Sequence, residues 1–390
     1  MSERHAPSSA DELAALVRDS ASARTPLELG GGYTRRGIGR AMQTASSVSL
    51  AKIEGITLYE PGALTLVAQA GTALSYIEAT LDAQNQRLAF EPMDHRPLLG
   101  TSGEPTIGGV VAGNISGPRR VQAGACRDAL LGVKFVDGRG AFVSNGGRVM
   151  KNVTGYDLTK LMCGSWGTLG ALTEVALKVL PKPERAATLV VPSDDLGHAV
   201  RVMSAALGSP FEVTGAAYEP GRVLLRVEGL DGQVSYRLDR LEALLGSLAP
   251  AGMDRIDGTA HEAVWRDIRD VTAFAQSTAP VWKLALRPSE APVVAAVVQS
   301  MTDAEVRLDW GGGLMWIALT GNHGTDAGEA IVRGAMADAG GHATLIRAPE
   351  TVRASVPVFH PEPPRIADLS RQIRERFDPH GIFNPGRMAA

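Results

Sequence analysis

The sequence predicts an α+β fold in two domains, and three observations carry that reading. Apolar residues switch between strand and helix spacing along the chain, strand segments are joined by tight turns, and a glycine-rich first half gives way after about residue 185 to a more ordinary composition. With 390 residues, 44% of them hydrophobic, the chain is long enough to bury two cores without disulfides or metal staples.

Residues 11–19 read as a short amphipathic helix with Leu13, Leu16 and Val17 at helical spacing, and Leu27-Glu28-Leu29 as a strand running into glycines. A strand at 64–68 and a helix at 74–84 follow. Residues 132–136 read as a strand that turns at Asp137-Gly138 into a partner at 141–143. In the strand 172–180, Val175, Leu177 and Val179 face one way and Glu174 and Lys178 the other, and Pro181-Lys182-Pro183 stops it. A domain boundary is placed there, giving a first domain over 1–183.

The second domain, 184–350, reads as strands and helices in alternation. Strands fall at 188–191, around 223–228, at 281–286 and at 343–347; helices fall at 195–206, 236–245, 260–274, 292–301 and 327–339. A hairpin over 305–320 turns at Gly311-Gly312-Gly313. Antiparallel strands covered by helices are the expected architecture. The segment 351–390 holds a helix at 365–377 and a tail punctuated by Gly and Pro, 378–386.

Composition excludes several classes of function. Lys and Arg (39) nearly balance Asp and Glu (42), so no basic field exists to hold nucleic acid. The two cysteines, Cys126 and Cys163, are far apart in sequence and build neither a disulfide framework nor a metal cluster, and they read as small buried residues. The polar first ten residues carry no signal-peptide core and no later run is long and apolar enough to span a bilayer, so a cytoplasmic chain is expected.

Three glycine loops stand out. Gly30-Gly31-Gly32-Tyr33-Thr34 follows an apolar strand, and its amides and hydroxyl can converge on an anion; the missing Gly-Lys-Ser/Thr ending argues against a nucleotide-hydrolysing loop. Thr106-Ile107-Gly108-Gly109, continuing through Gly113, Asn114, Ser116 and Gly117, has so little bulk that it reads equally as a chain lying against a planar ligand or a small-residue helix packed on a neighbour. Gly164, Gly167 and Gly170 have dinucleotide-fingerprint spacing, yet they feed the 172–180 strand instead of opening a helix, which argues against a Rossmann site.

The order of these loops, together with Ser116-Gly117-Pro118-Arg119-Arg120, Val153-Thr154-Gly155-Tyr156-Asp157-Leu158 and the tail 378–386, resembles the PCMH-type FAD-binding fold of the vanillyl-alcohol oxidase superfamily. Ser116 to Arg120 and 150–158 bring it nearest to the FAD-binding subunits of bacterial glycolate oxidase (glycolate dehydrogenase). The resemblance covers residues 25–183 and the tail, and implies a two-part FAD domain, an α+β cap domain and a tail returning to the FAD domain. It implies that Gly30 to Thr34, Thr106, Ile107, Gly108, Gly109, Gly113, Asn114, Ser116 and Gly117 surround FAD. Gly155, Tyr156, Gly164, Gly167, Thr168 and Gly170 would line the remaining groove, and Asn384 would approach the flavin ring. Tyr33 and Thr34 stand where relatives with covalent FAD carry histidine, so the FAD is expected to be noncovalent.

The arginine pair Arg119 and Arg120 is a candidate for FAD phosphate or a substrate carboxylate. Base candidates are thin: the superfamily's His-x-His metal motif is absent and no metal is expected, which leaves His95, in a Pro-bounded loop, and His323, in a polar turn. The resemblance implies oxidation of glycolate, a 2-hydroxy acid, to glyoxylate, with electrons passing to a larger flavoprotein subunit and an iron–sulfur subunit, and at most a peripheral place at the membrane. A noncatalytic electron-relay subunit and a stand-alone oxidase of another hydroxyacid or sugar lactone are the alternatives.

Overall fold

A computed structural model describes residues 3–147 and 155–388; the segment 148–154, with most of the expected 150–158 motif, lies outside the described residues. The chain divides into two compact units: Met1–Ser116, Gly124–Lys182 and Pro361–Ala390 form one, and Gly117–Ala123 with Pro183–His360 the other. This differs from the expected boundaries in two places. Residues 117–123 leave the first unit for the second, and 351–360 stay with the second, so only the chain from Pro361 onward returns.

In the first unit, β1 (Glu3–His5), β2 (Leu27–Gly30) and β3 (Ser46–Ser49) form a parallel sheet in the order β1-β3-β2. The helix Ala10–Ala23 crosses between β1 and β2. Ser9 starts it by accepting from the Glu12 N–H at 3.2 Å, and Leu13, Ala14 and Val17 bury its apolar face against Leu27, Leu29 and Val48. Ile382 and Phe383 join the same core. The tail meets β2 through an isolated parallel bridge between Leu27 and Phe383: the Leu27 N–H donates to the Ile382 carbonyl at 2.7 Å and the Asn384 N–H to the Leu27 carbonyl at 3.0 Å.

The second sheet of this unit comprises β4 (Ile56–Glu60), β5 (Thr65–Gln69), β6 (Gln86–Leu88), β7 (Leu130–Val136), β8 (Phe142–Gly146) and β9 (Ala171–Pro181). Its order is β4-β5-β9-β7-β8, with β6 also on β9, and every pair is antiparallel. Val175, Leu177 and Val179 of β9 are fully buried while Glu174 and Lys178 are not, as alternation requires. The β7–β8 hairpin turns where expected, with Asp137 Oδ1 accepting the Arg139 and Ala141 amides at 2.9 Å each.

The second unit is built on one antiparallel sheet of eight strands: β10 (Arg185–Ser193), β11 (Val213–Glu219), β12 (Gly221–Gly229), β13 (Asp254–Asp257), β14 (Val281–Ala285), β15 (Ala304–Asp309), β16 (Leu314–Leu319) and β17 (His342–Arg347). Their order is β13-β10-β12-β11-β15-β16-β14-β17. Helices Leu196–Leu207, Asp231–Leu245, Ala291–Met301 and Glu329–Ala335 pack their apolar stripes onto one face with Trp282, Leu284, Met315 and Ile317. β11 and the short β13 were not expected from the sequence. In β11, Gly215 leaves room for the Trp265 ring, which lies 2.8 Å from where a Cβ would sit, so its small residues serve packing and mask the strand pattern.

Candidate functional site

A cavity of about 770 Å³ is lined wholly by residues of the first unit. Its walls come from three stretches of sequence that the fold brings together. The strand-to-loop transition contributes Gly30, Gly31, Gly32, Tyr33 and Thr34; the short helix Ile107–Ala112 with its cap contributes Thr106, Gly108 and Gly109; and Gly167, Gly170 and Asn384 complete it. The glycines there fill two physical roles. A Cβ on Gly31 would fall 2.1 Å from Thr106 Oγ1, and one on Gly32 would fall 1.9 Å from the Glu104 carbonyl oxygen, so the first loop is pressed against the segment leading into the helix. Gly108 packs against Ala70, 2.7 Å from where its Cβ would lie.

The helix Ile107–Ala112 resolves the two readings of its small residues: it is a helix packed on a neighbour, and it also lines the cavity. Its first amides are already used, Ile107 donating to the Thr72 carbonyl at 3.0 Å, Gly108 to that of Ala70 at 2.8 Å and Gly109 to Thr106 Oγ1 at 3.3 Å. The amides of Gly32 and Tyr33 in the first loop have no partner among the described residues and border the cavity. The anion-binding capacity therefore sits in the first loop.

Asn384 ties the third wall to the first. Its Oδ1 accepts the Leu29 N–H at 2.8 Å and its Nδ2 donates to the Trp166 carbonyl at 2.8 Å. Gly167, at φ 71°, leaves space for that amide group, which lies 2.7 Å from where a Cβ would be. Arg387, from the same tail, donates to the Arg35 carbonyl at 3.1 Å and stands over the Trp166 ring at 5.4 Å.

The cavity's charge comes from residues the sequence reading passed over. Arg35 lines it with its side chain buried, its Nε directed to His95 Nδ1 at 3.2 Å and its Nη2 donating to the Met93 carbonyl at 3.0 Å. Burial, opposed by the Asp94 carboxylate, lowers its guanidinium to about 10. Glu28 also lines the cavity; one carboxylate oxygen accepts from Arg36 at 2.6 Å, and the other, Oε1, is buried without a partner. Burial and the nearby Glu28 charge raise the Tyr33 phenol. Arg35 and Arg36 directly follow the first glycine loop, a signal the sequence offered in plain view.

Other expected residues lie elsewhere. Ile107 is a core side chain, Gly113 packs on Ile115, and Asn114 Oδ1 accepts the Arg127 amide at 3.1 Å. Ser116 Oγ accepts the Cys126 amide at 2.9 Å, Thr168 Oγ1 donates to the Ser165 carbonyl at 2.7 Å, and Gly164 turns at φ 91°. These residues shape loops and are not in the cavity wall. Gly155 and Tyr156 are exposed, Tyr156 at 89%. Gly117, Arg119 and Arg120 belong to the second unit: Arg119 forms a buried ion pair with Glu228, and Arg120 stacks on Trp310.

Of the two histidines, His95 is a buried partner of Arg35, and His323 is exposed, its ring nitrogen bonded to the Gly324 carbonyl within its own turn. Cys126 and Cys163, distant in sequence, are both buried free thiols, and burial with Cys163 nearby pushes the Cys126 thiol well up. Among the described residues no cluster of acids, histidines or cysteines is arranged to hold a metal, and no helix is long and apolar enough to cross a membrane.

The chain that builds this cavity is similar to known proteins. Residues 5–146 fit a family model described as an FAD binding domain. Over 377 residues the chain is 34% identical to glycolate oxidase subunit GlcE of Escherichia coli strain K12, covering 96% of this chain and 95% of that one. The chain belongs to the GlcE family. Other FAD-dependent oxidoreductases match only in part: glycolate oxidase subunit GlcD of Bacillus subtilis is 32% identical over 51% of this chain and 41% of its own length. A D-lactate dehydrogenase of Anaerostipes hadrus is 34% identical over 48% of this chain and 38% of its own. Among solved structures, alkyldihydroxyacetonephosphate synthase superposes over 98% of this chain and 76% of that one with a TM-score of 0.71 at 16% identity, which establishes the shared PCMH-type fold. FAD is accordingly the cofactor of this GlcE-family chain.

Proposed function

We propose that this chain is the FAD-binding subunit of a glycolate-oxidising complex, and that its FAD is held noncovalently in the cavity of the first unit. The observation that carries the reading is the convergence of Gly30 to Thr34, Gly108, Gly109, Gly167 and Asn384 on one cavity in a chain that matches glycolate oxidase subunit GlcE along almost its whole length. The cavity fits the cofactor on its own chemistry. Two adjacent loop amides and the Arg35 guanidinium offer donors to a pyrophosphate, and the buried Glu28 Oε1 offers an acceptor to a sugar hydroxyl.

FAD, when bound, supplies hydride acceptance and electron transfer. The chain's own residues bind and orient it: the first loop holds phosphate, Asn384 fixes the tail against β2, and Leu29, Leu50 and Ala171 exclude water along the walls. In this reading the electrons leave to a larger flavoprotein subunit and an iron–sulfur subunit. Purified chain, co-expressed with its partners, is expected to show flavin bands at roughly 375 and 450 nm, as this cofactor requires, and the complex is expected to lose the 450 nm band on anaerobic addition of glycolate. A colourless protein, or a complex that bleaches with D-lactate and not with glycolate, contradicts the reading.

A further inference from the structure

Arg35 enters the cavity from the turn that follows the three glycines, and the chain holds it at both ends. Its backbone carbonyl accepts the Ile38 N–H at 3.1 Å and Arg387 Nη2 at 3.1 Å. Its buried guanidinium is clamped along one edge: Nε donates to His95 Nδ1 at 3.2 Å, and Nη2 donates to the Met93 carbonyl at 3.0 Å. Both acceptors come from the loop between β6 and the short helix Arg96–Leu99.

A guanidinium carries five N–H donors, and these two bonds use two of them. The other three, both on Nη1 and one on Nη2, form the outer edge that grips a phosphate through two parallel bonds. Nη1 has no hydrogen-bond partner among the described residues. It lies 3.7 Å from where a Cβ on Gly109 would sit, and Gly109 lines the cavity. The carboxylate that acts on Arg35, Asp94, accepts Arg96 Nε at 3.1 and 3.0 Å. Burial lowers the Arg35 guanidinium only to about 10, so it is charged at neutral pH. A buried cation with open donors at a cavity wall is costly until an anion meets it.

The direction of the hydrogen bond fixes the chemical state of the histidine. Arg35 Nε can only donate, so His95 Nδ1 accepts with its lone pair, and the ring is neutral with its proton on Nε2. An imidazolium would set one N–H against another and push the guanidinium off this edge. We infer that His95 is a positioning residue for the cofactor: a neutral imidazole whose Nδ1 steadies Arg35 so that the outer edge of its guanidinium meets the FAD phosphates. The inference deepens the proposed function and rests on it for the ligand. Without the imidazole, the guanidinium keeps the Met93 bond alone and can swing about it. Donors that are no longer fixed in direction must be ordered when the phosphate binds, which lowers affinity.

The test is titration of the flavin-free full chain with FAD and with riboflavin, which has no phosphate, followed by quenching of flavin fluorescence. Arg35→Gln is expected to weaken FAD binding about tenfold or more, as loss of a charge-assisted hydrogen bond does, and to leave riboflavin within about twofold. His95→Leu, which cannot accept, is expected to weaken FAD about fivefold with the same sparing of riboflavin. His95→Asn sets an amide oxygen close to where Nδ1 stands and should recover most of that loss. A packing role predicts the opposite order, because asparagine fills the buried space less well than leucine, and it would weaken both flavins alike.

FAD affinity unchanged in both Arg35→Gln and His95→Leu, riboflavin weakened in step with FAD, or His95→Asn as weak as His95→Leu would overturn the assignment. Should Arg35→Gln fail to fold, the two His95 variants decide. Failure of the function reading looks different: the wild-type complex leaves glycolate unoxidised while FAD binding by the chain still depends on His95.

Discussion

Replacing Asn384 with alanine is expected to unfasten the tail from the cofactor cavity, and the structure sets the scale. The residue is 2% exposed, its two side-chain hydrogen bonds to the Leu29 N–H and the Trp166 carbonyl are 2.8 Å each, and its φ is 42°. Alanine removes both bonds and leaves a buried donor and a buried acceptor, at about 1–3 kcal/mol each. A left-handed backbone, tolerated by asparagine, adds about 1 kcal/mol for alanine. Taking the low end for groups that some water can reach, the sum is roughly 3–5 kcal/mol, or a melting temperature lower by roughly 10 °C for a unit of this size.

Thermal unfolding followed by near-ultraviolet dichroism, with released flavin fluorescence read in parallel, measures both the loss and whether FAD leaves first. Asn384→Gly, which relieves the backbone and still loses both bonds, should recover about 1 kcal/mol of that loss. Asn384→Asp keeps the acceptor for Leu29 and sets an oxygen against the Trp166 carbonyl, so it should also destabilise. Asn384→Ala melting within about 2 °C of wild type, with a full complement of FAD, would refute the assignment of the tail's hold to this side chain.

Gly32→Ala places a methyl 1.9 Å from the Glu104 carbonyl oxygen, so the loop must shift; a loss of about 2–3 kcal/mol and a low flavin-to-protein ratio are expected. Gly109→Ala meets nothing closer than 3.3 Å, so the flavin-free chain should melt like wild type while FAD binds more weakly; equal effects of the two substitutions would count against the cavity as the FAD site. Acid precipitation is expected to leave the FAD in the supernatant, and yellow pelleted protein would show a covalent bond.

The sequence was most legible where one local rule decides the outcome. The strand ending at Pro181 and the hairpin at Asp137 follow from alternation and turn chemistry that no tertiary contact overrides. The stretch 107–112 could not be settled because its glycines are explained only by Ala70, a residue distant in sequence that fills the space beside Gly108. β11 was hidden for the same reason, since Gly215 makes sense only with the Trp265 ring against it.

In the site, neighbours in sequence part company in the fold. Arg119 and Arg120 sit beside a glycine segment in sequence, yet the chain makes a short excursion at 117–123 into the other unit, where Arg119 finds Glu228.

The tail that lies along β2 also orders events in time. Ile382 and Asn384 bond to Leu27 and Leu29, so the wall they supply leaves the ribosome long after the first glycine loop. A nascent chain long enough to display all three glycine loops still lacks the clasp between them. FAD capture is thereby a step that waits for residue 384 to be made, and retention of the flavin reports that translation ran past it.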